Sequence, residues 1–336
     1  MALGLAICTP LLAPAAAQDG AMLETLRQAD MRLATVGARI STAMAPFCDR
    51  LEPGLGLQLQ TIAQYAQSAR PAVRAHFRMR GDVGIEGVIA GGPAERAGLR
   101  TDDSVISIAG VPVGTASSSA ATTDHLVALH ARIADLPPDQ PVTFVVQRGE
   151  QTLNVRVTPQ PACRTRYELQ IGNRFEARAN GEMVQISSRY IEDVDPDLFP
   201  AVVAHELAHN ILRHKDRLEA AGADFGLASG FGQNVGLFRQ TEIQADILSV
   251  DILARAGYDP RIAETFWRTV GPRLLQGQIR RRSHPPFRDR AALVAAEAKR
   301  IATAGRDAKL PDFYDQRNAT LDGDWRKLTN GVKPGK

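Results

Sequence analysis

The sequence predicts an α+β chain in three parts: a helical N-terminal segment, a β-rich module, and a mainly helical unit that carries a small β-sheet. Three observations lead there. Apolar residues recur at helical spacing from 20 to 45 and again on both sides of residue 205. Between 76 and 160 the pattern changes to short runs rich in Val and Ile, divided by Gly and Pro, which read as strands and turns. Within the last helical stretch lies Ala204-His205-Glu206-Leu207-Ala208-His209, where two histidines four residues apart fall one turn apart on one helix face.

Charge excludes one class of partner. The 336 residues carry 40 basic and 37 acidic side chains, a formal net charge of +3. That balance, without an aromatic-plus-basic patch, argues against nucleic acid. The run Arg280-Arg281-Arg282 reads as a solvated face.

Residues 2 to 17 hold no charge and end on Ala15-Ala16-Ala17, small residues at −3 and −1 of a cleavage before Gln18. This reads as a signal peptide over 1–17, too short to span a bilayer. Export to a periplasm or similar compartment is expected, with a soluble mature chain. Cys48 and Cys163 then remain. Two thiols in an oxidising compartment invite one disulfide; two unpaired buried thiols are the alternative. Closing so long a loop would contribute on the order of 4 kcal/mol.

From 18 to 72 a helical segment is expected. Leu23, Leu26, Met31, Leu33, Val36 and Ile40 recur among charges, Pro53-Gly54-Leu55-Gly56 breaks the pattern, and a second amphipathic helix is expected around 57 to 69. The β-rich module spans 73–160. Val83–Ile89 reads as a strand, Gly91-Gly92-Pro93-Ala94 as a turn into a short helix, and Ser104–Ile108 as a second strand. A helix over 124–135 and strands over 142–148 and 151–158 follow, with 114–123 a flexible polar loop.

The run of strand, Gly91-Gly92-Pro93-Ala94 turn, Ala97-Gly98-Leu99, acidic residue and strand resembles a bacterial PDZ domain. The resemblance implies capture of an extended peptide as an added strand, its terminal carboxylate held in a Gly-Leu-Gly-Phe-type loop. The counterpart read here is Asp82-Val83-Gly84-Ile85, whose acid would repel a carboxylate. A spacer or a gate over the neighbouring unit is the other use of such a module.

The third unit spans 164–310, followed by a C-terminal tail at 311–336; within 305–336 an end helix is expected before a polar, loosely held end at Val332–Lys336. Strands are expected at 166–171 and 182–188 around the hairpin signal Asn180-Gly181. The histidine-bearing helix follows Asp195-Pro196-Asp197, with Leu198, Val202, Val203, Leu207 and Ile211 as its buried side. A glycine-rich stretch at 222–236, read as a loop, a lid or a point of peripheral membrane contact, leads to a second helix at 237–256.

In this setting His205 and His209 can reach one Zn²⁺, and Glu206 is placed to take a proton from a water at the metal. Zinc needs a third protein ligand, and Glu242 on the second helix is the candidate. It sits among Ile243, Ala245, Ile247 and Leu248, where an unpaired carboxylate is costly. Asp246, one turn on, can accept a hydrogen bond from a ligating histidine. His214, five residues after His209, is expected to face away from the pair; His76, His125 and His130 have no partner by spacing.

His205-Glu206 with His209, then Glu242 and Asp246, then Ala256–Pro260 and Ser283-His284-Pro285-Pro286 together resemble the M48 family of zinc metallopeptidases. The resemblance covers about 165 to 300. It implies a zincin-type peptidase domain with one Zn²⁺ held by His205, His209 and Glu242, and Glu206 as general base. His284 would approach the metal or stabilise an oxyanion. The implied activity is endopeptidase cleavage of unfolded or misassembled envelope proteins, an extended substrate pairing along the strand Met183–Ser187. An envelope chaperone or adaptor, binding a protein partner through the PDZ-like module, is the reading from a different class.

Overall fold

A computed structural model of the chain describes residues 15–115, 118–225, 232, 234–275 and 284–329. The leader before Ala15, residues 116–117 of the polar loop, most of the glycine-rich stretch, Arg280-Arg281-Arg282, Ser283 and the tail from 330 lie outside the described residues.

Helix α1 (Ala15–Met44) runs alongside both halves of the molecule. Its later turns bury Leu33, Val36, Ile40 and Met44, a spacing of three and four residues that makes one continuous stripe. That stripe belongs to the large core formed by residues 184–313. Its earlier turn buries Leu23 against Ile62, Val73, Phe77 and Met79. Arg39 donates to the carbonyls of Ala256 and Gly257 at 2.6 and 2.9 Å, a cation at the end of a neighbouring helix.

After α1 the chain crosses to the β-rich module and returns on a two-stranded stem. Strand β1 (Leu51–Gly54) pairs antiparallel with β8 (Gln160–Cys163), Leu51 opposite Cys163. A disulfide joins Cys48 to Cys163 at the base of this stem, across 115 positions of sequence, with Cα atoms 5.5 Å apart. The module is therefore an insertion: the helix before it and the unit after it share one core.

Within the insertion, β2 (Leu57–Thr61), β3 (Val83–Val88), β4 (Ser104–Ile108), β6 (Val142–Arg148) and β7 (Gln151–Val157) lie in that order in one sheet, with β5 (Val111–Pro112) on β4. Leu59, Val83, Ile85, Val105, Phe144, Val146 and Val157 fill one side beneath α4 (Asp124–Ala134), which contributes Leu129 and Ile133. Short helix α3 (Pro93–Ala97) starts on a proline and ends at Gly98, whose φ of 96° is left-handed. The expected helix at 57–69 is not formed. Leu57 and Leu59 alternate with Gln58 and Gln60, so 57–61 is a strand; a single helix, α2 (Arg70–His76), comes after it. The module's sheet thus begins at Leu57, upstream of the expected boundary at 73.

The unit after the stem opens with a three-stranded sheet in the order β10-β11-β9. Strands β9 (Arg166–Gln170) and β11 (Met183–Ser187) are parallel, and β10 (Ala177–Ala179) forms the hairpin with β11 across Asn180-Gly181. Met183–Ser187 is consequently the central strand, hydrogen-bonded on both sides, and is closed to the edge pairing expected of it. Helices α5 (Ser188–Asp193), α6 (Phe199–Ile211), α7 (His214–Ala220), α8 (Asn234–Arg255), α9 (Ile262–Thr269), α10 (Phe287–Ala304) and α11 (Asp312–Asp315) complete it. Residues 311–329 are packed: Phe313 and Leu321 are buried, and Gly323 N–H donates to Gln240 at 2.8 Å; the polar end from Val332 lies outside the described residues. No helix among the described residues is long and apolar enough to cross a membrane.

A Cβ on Gly37 would lie 2.6 Å from the Tyr167 ring, whose hydroxyl is held by Ser41 at 2.7 Å. Gly to Ala inside a helix gains about 1 kcal/mol, whereas overpacking a fixed ring costs about 1–3 kcal/mol. Gly37→Ala should therefore lower stability by about 1 kcal/mol in urea unfolding; a rise would show that the helix and ring separate freely.

Asp30 of α1, half-buried, and Glu86 of β3, buried, are neighbouring acids, with Glu24, Arg27 and Tyr65 around them and Arg27 paired to Asp102 at 2.7 Å. Burial pushes the Asp30 carboxyl up to about 7 and Glu86 well above its usual range. A raised folded-state value favours the protonated form, so this stability is present below pH ~4 and is lost as pH rises through ~7. Asp30→Asn should reduce the fall in stability between pH 5 and pH 8 by about 1–2 kcal/mol, each pKa unit being worth about 1.4. An unchanged slope in denaturant titrations would contradict this.

Candidate metal centre

Helix α6 begins with Phe199 and Pro200, the proline standing where no intrahelical N–H is needed. All but its last turn is buried, and it packs against α8, so its polar residues point into a protein interior. Asn210 fastens this helix to the hairpin, accepting from Gly181 N–H at 2.7 Å.

Three ligand-type residues meet between α6 and α8. The metal-binding atoms of His205, His209 and Glu242 all lie within 4.8 Å of one another. His205 Nε2 and His209 Nε2 are 3.1 Å apart, and each is 3.6 Å from a Glu242 carboxylate oxygen. A tetrahedral ion with bonds near 2.1 Å holds its ligand atoms about 3.3–3.6 Å apart. These separations fit such an ion, and a His₂Glu donor set suits Zn²⁺. His284, about half exposed, approaches from the open side with Nε2 3.6 Å from Glu242.

Asp246 stands behind His205, its Oδ1 3.1 Å from Nδ1, as its position one turn from Glu242 suggests. It is fully buried and carries a second partner that sequence reasoning did not single out. Arg290 of α10 donates to both Asp246 oxygens at 2.7 and 2.8 Å, approaches Glu242 at 3.2 Å, and lies 3.6 Å over the Trp267 ring. A signal existed: Arg290, Val294, Ala298 and Ile301 lie on one stripe of α10, and an arginine on an apolar stripe needs a buried partner.

The expectation that His214 faces away from the pair is overturned. Helix α6 ends at Ile211, and Arg213 takes a left-handed φ of 53°, so α7 starts in a new direction. His214 folds back, 1% exposed, with Nδ1 2.9 Å from His209 Nδ1 and Nε2 3.1 Å from Gln244 Oε1. Arg217 donates to the same Gln244 oxygen at 3.3 Å and to Ala319 O at 2.8 Å.

Electrostatics follow from burial and pairing. Burial pushes the Glu206 carboxyl up to about 7. For His205, burial works downward but the carboxylates of Asp246 and Glu242 outweigh it, raising the imidazole to about 9. Burial lowers His209 to about 3 and holds His214 well below its usual value. Against burial, His284, His205 and Arg290 keep Glu242 well below the usual carboxylate range. Without an ion the centre thus retains a proton on His205, and a cation would displace it. His76, His125 and His130 stand apart from the centre: the first two contact Glu24 and Val113 O, and His130 is lowered to about 4 by burial.

The inserted module has a second feature the sequence reading passed over. Asp82 precedes β3, an interior strand, and pairs with Arg74. Gly54-Leu55-Gly56-Leu57, closer to Gly-Leu-Gly-Phe, leads instead into β2, the edge strand of the sheet. Gly56 takes a φ of 69°, a turn that suits glycine. Together with Ile133 and Ala134 of α4, this loop lines a cavity of about 180 Å³ that also reaches Arg164 and Tyr167. The alternation in Leu57–Thr61, taken as helix, concealed it.

A family model described as "PDZ domain" matches residues 84–148, and the chain contains a PDZ domain there. Among solved structures, the crystal structure of the HtrA3 PDZ domain bound to a phage-derived ligand (FGRWV) is similar at 18% identity. It covers 34% of this chain and 90% of that chain, with a TM-score of 0.25. No curated protein matches the chain.

Asp246→Ala would strand the buried Arg290 guanidinium. Removing one partner of a buried pair costs about 3–5 kcal/mol, so the metal-free variant should unfold at correspondingly lower denaturant, and Asp246→Asn should lose less. A change below about 1 kcal/mol, within what exposed pairs contribute, would show that Arg290 is satisfied elsewhere.

Proposed function

We propose that the chain is an exported zinc-dependent endopeptidase of the M48 type, acting on unfolded or misassembled envelope proteins. The observation that carries this reading is the convergence of His205, His209 and Glu242 at tetrahedral separations, with Glu206 close enough to interact electrostatically with His205 and Glu242. The Cys48–Cys163 disulfide supports an oxidising compartment.

Zn²⁺ held by His205, His209 and Glu242 would supply Lewis acidity, polarising a carbonyl and acidifying water. Glu206 takes the proton of the attacking water. Burial raises its carboxyl in the ion-free site, which favours taking a proton, and the acid so formed can return it to the leaving amine. Asp246 holds His205 in place from behind, and Arg290 fixes that carboxylate while its Nη2 lies 3.3 Å from His205 Nε2. His284, on the open side, is suited to donate to a developing oxyanion. An extended chain would lie along β10, the sheet edge that packs beside α6, rather than along β11.

The PDZ domain supports a second role in the same protein, binding a peptide or protein partner through β2 and the Gly54–Leu57 loop. If that were the whole function, the chain would be an adaptor.

Casein digestion by the zinc-loaded chain, beside Glu206→Gln, separates the two. Internal fragments from the wild type, reduced at least about 100-fold in the variant, are expected of a general base. No cleavage by zinc-bound wild type would move the reading to the adaptor.

A further inference from the structure

His214 has no place among the ligands, yet its surroundings leave it little freedom. It is 1% exposed and makes two contacts, His209 Nδ1 at 2.9 Å and Gln244 Oε1 at 3.1 Å. Arg217 decides the direction of both. A guanidinium can only donate, and its contact with Gln244 at 3.3 Å fixes that atom as the amide oxygen, an acceptor. His214 Nε2 must then carry the hydrogen. A neutral imidazole with its proton on Nε2 presents a bare Nδ1, which can only accept. His209 Nδ1, 2.9 Å away, must therefore be the donor, and a neutral His209 protonated there has its lone pair on Nε2. That is the atom turned towards His205 and Glu242.

We infer that His214, oriented by Gln244 and Arg217, is a positioning residue that fixes the tautomer of His209 and so prepares its Nε2 to bind a metal ion. The inference rests on the metal-centre reading and deepens it. His205 is prepared by a carboxylate, Asp246, whereas His209 is prepared by an imidazole, His214, set in turn by Gln244 of α8 and Arg217 of α7. Its outer end is tied down by Ala319 O, which accepts from Arg217 at 2.8 Å, and by Asn318, which accepts from Arg213 at 2.9 Å. The packed segment at 311–329 is thus the far anchor of the metal site. A neutral partner also keeps added negative charge away from a centre that already holds Glu206, Glu242 and Asp246.

The test is competitive titration of the metal-free full chain with Zn²⁺ against a chromophoric chelator, alongside chemical unfolding of each metal-free variant. Wild type should bind one ion, and His205→Ala should lose it. His214→Leu, which fills the space without an acceptor, should weaken Zn²⁺ about 10–100-fold, the usual effect of removing a histidine's outer partner. His214→Gln, which restores an oxygen acceptor, should recover much of that loss. Gln244→Met, in which the His214 tautomer is no longer specified, should weaken Zn²⁺ even if His214→Leu fails to fold. Affinity must fall in variants whose unfolding midpoints match His214→Gln. Wild-type binding with equal affinity in His214→Leu and Gln244→Met would overturn the inference. Absence of Zn²⁺ binding by the wild type itself would overturn the metal reading beneath it.

Discussion

The charge of Asp246 is the constraint on which this site depends. A fully buried carboxylate cannot be left alone, and here it is met by both arms of Arg290 and by the ring of His205. Those partners come from α10 and α6 while Asp246 itself sits on α8, so one buried charge sets the spacing of three helices. Trp267 of α9 closes the fourth side against the guanidinium. Packing alone would tolerate small sliding of these helices. Bidentate geometry does not, and the side chains of His205 and Glu242 inherit that rigidity.

A second organisation ties the PDZ domain to this centre without sharing its chemistry. Helix α1 buries one stretch in the helical core and another beside the PDZ sheet, and the β1–β8 stem with its disulfide closes the loop between them. The residues around the candidate metal centre belong to the helical core and not to the module's contact with α1. The half-buried Asp30 and the buried Glu86 lie at that contact, and their protonation favours it.

Residues related by a regular period were legible in the sequence; those placed by a break in the period were not. His205, Glu206 and His209 share a turn of one helix, Glu242 and Asp246 a turn of another, and both spacings survive folding. His214 was misjudged because extrapolating α6 by five residues ignores the left-handed Arg213, which no residue preference announces. The central place of β11 depends on the three-residue strand β10, too short to show alternation. The Gly54–Leu57 loop is hidden for a related reason: period two over the five residues of β2 is too short to stand out from the helical pattern around it. Arg290 is the exception, since its stripe was visible and only its partner, 44 positions away, was not.

The most direct test of the central claim is anomalous diffraction at the zinc edge from crystals of the zinc-loaded chain. The account predicts one peak at about 2.0–2.2 Å from His205 Nε2, His209 Nε2 and a Glu242 carboxylate oxygen, with Arg290 still paired to Asp246. An empty position there, or an ion bound elsewhere while Arg290 fills the space between His205 and Glu242, would contradict it.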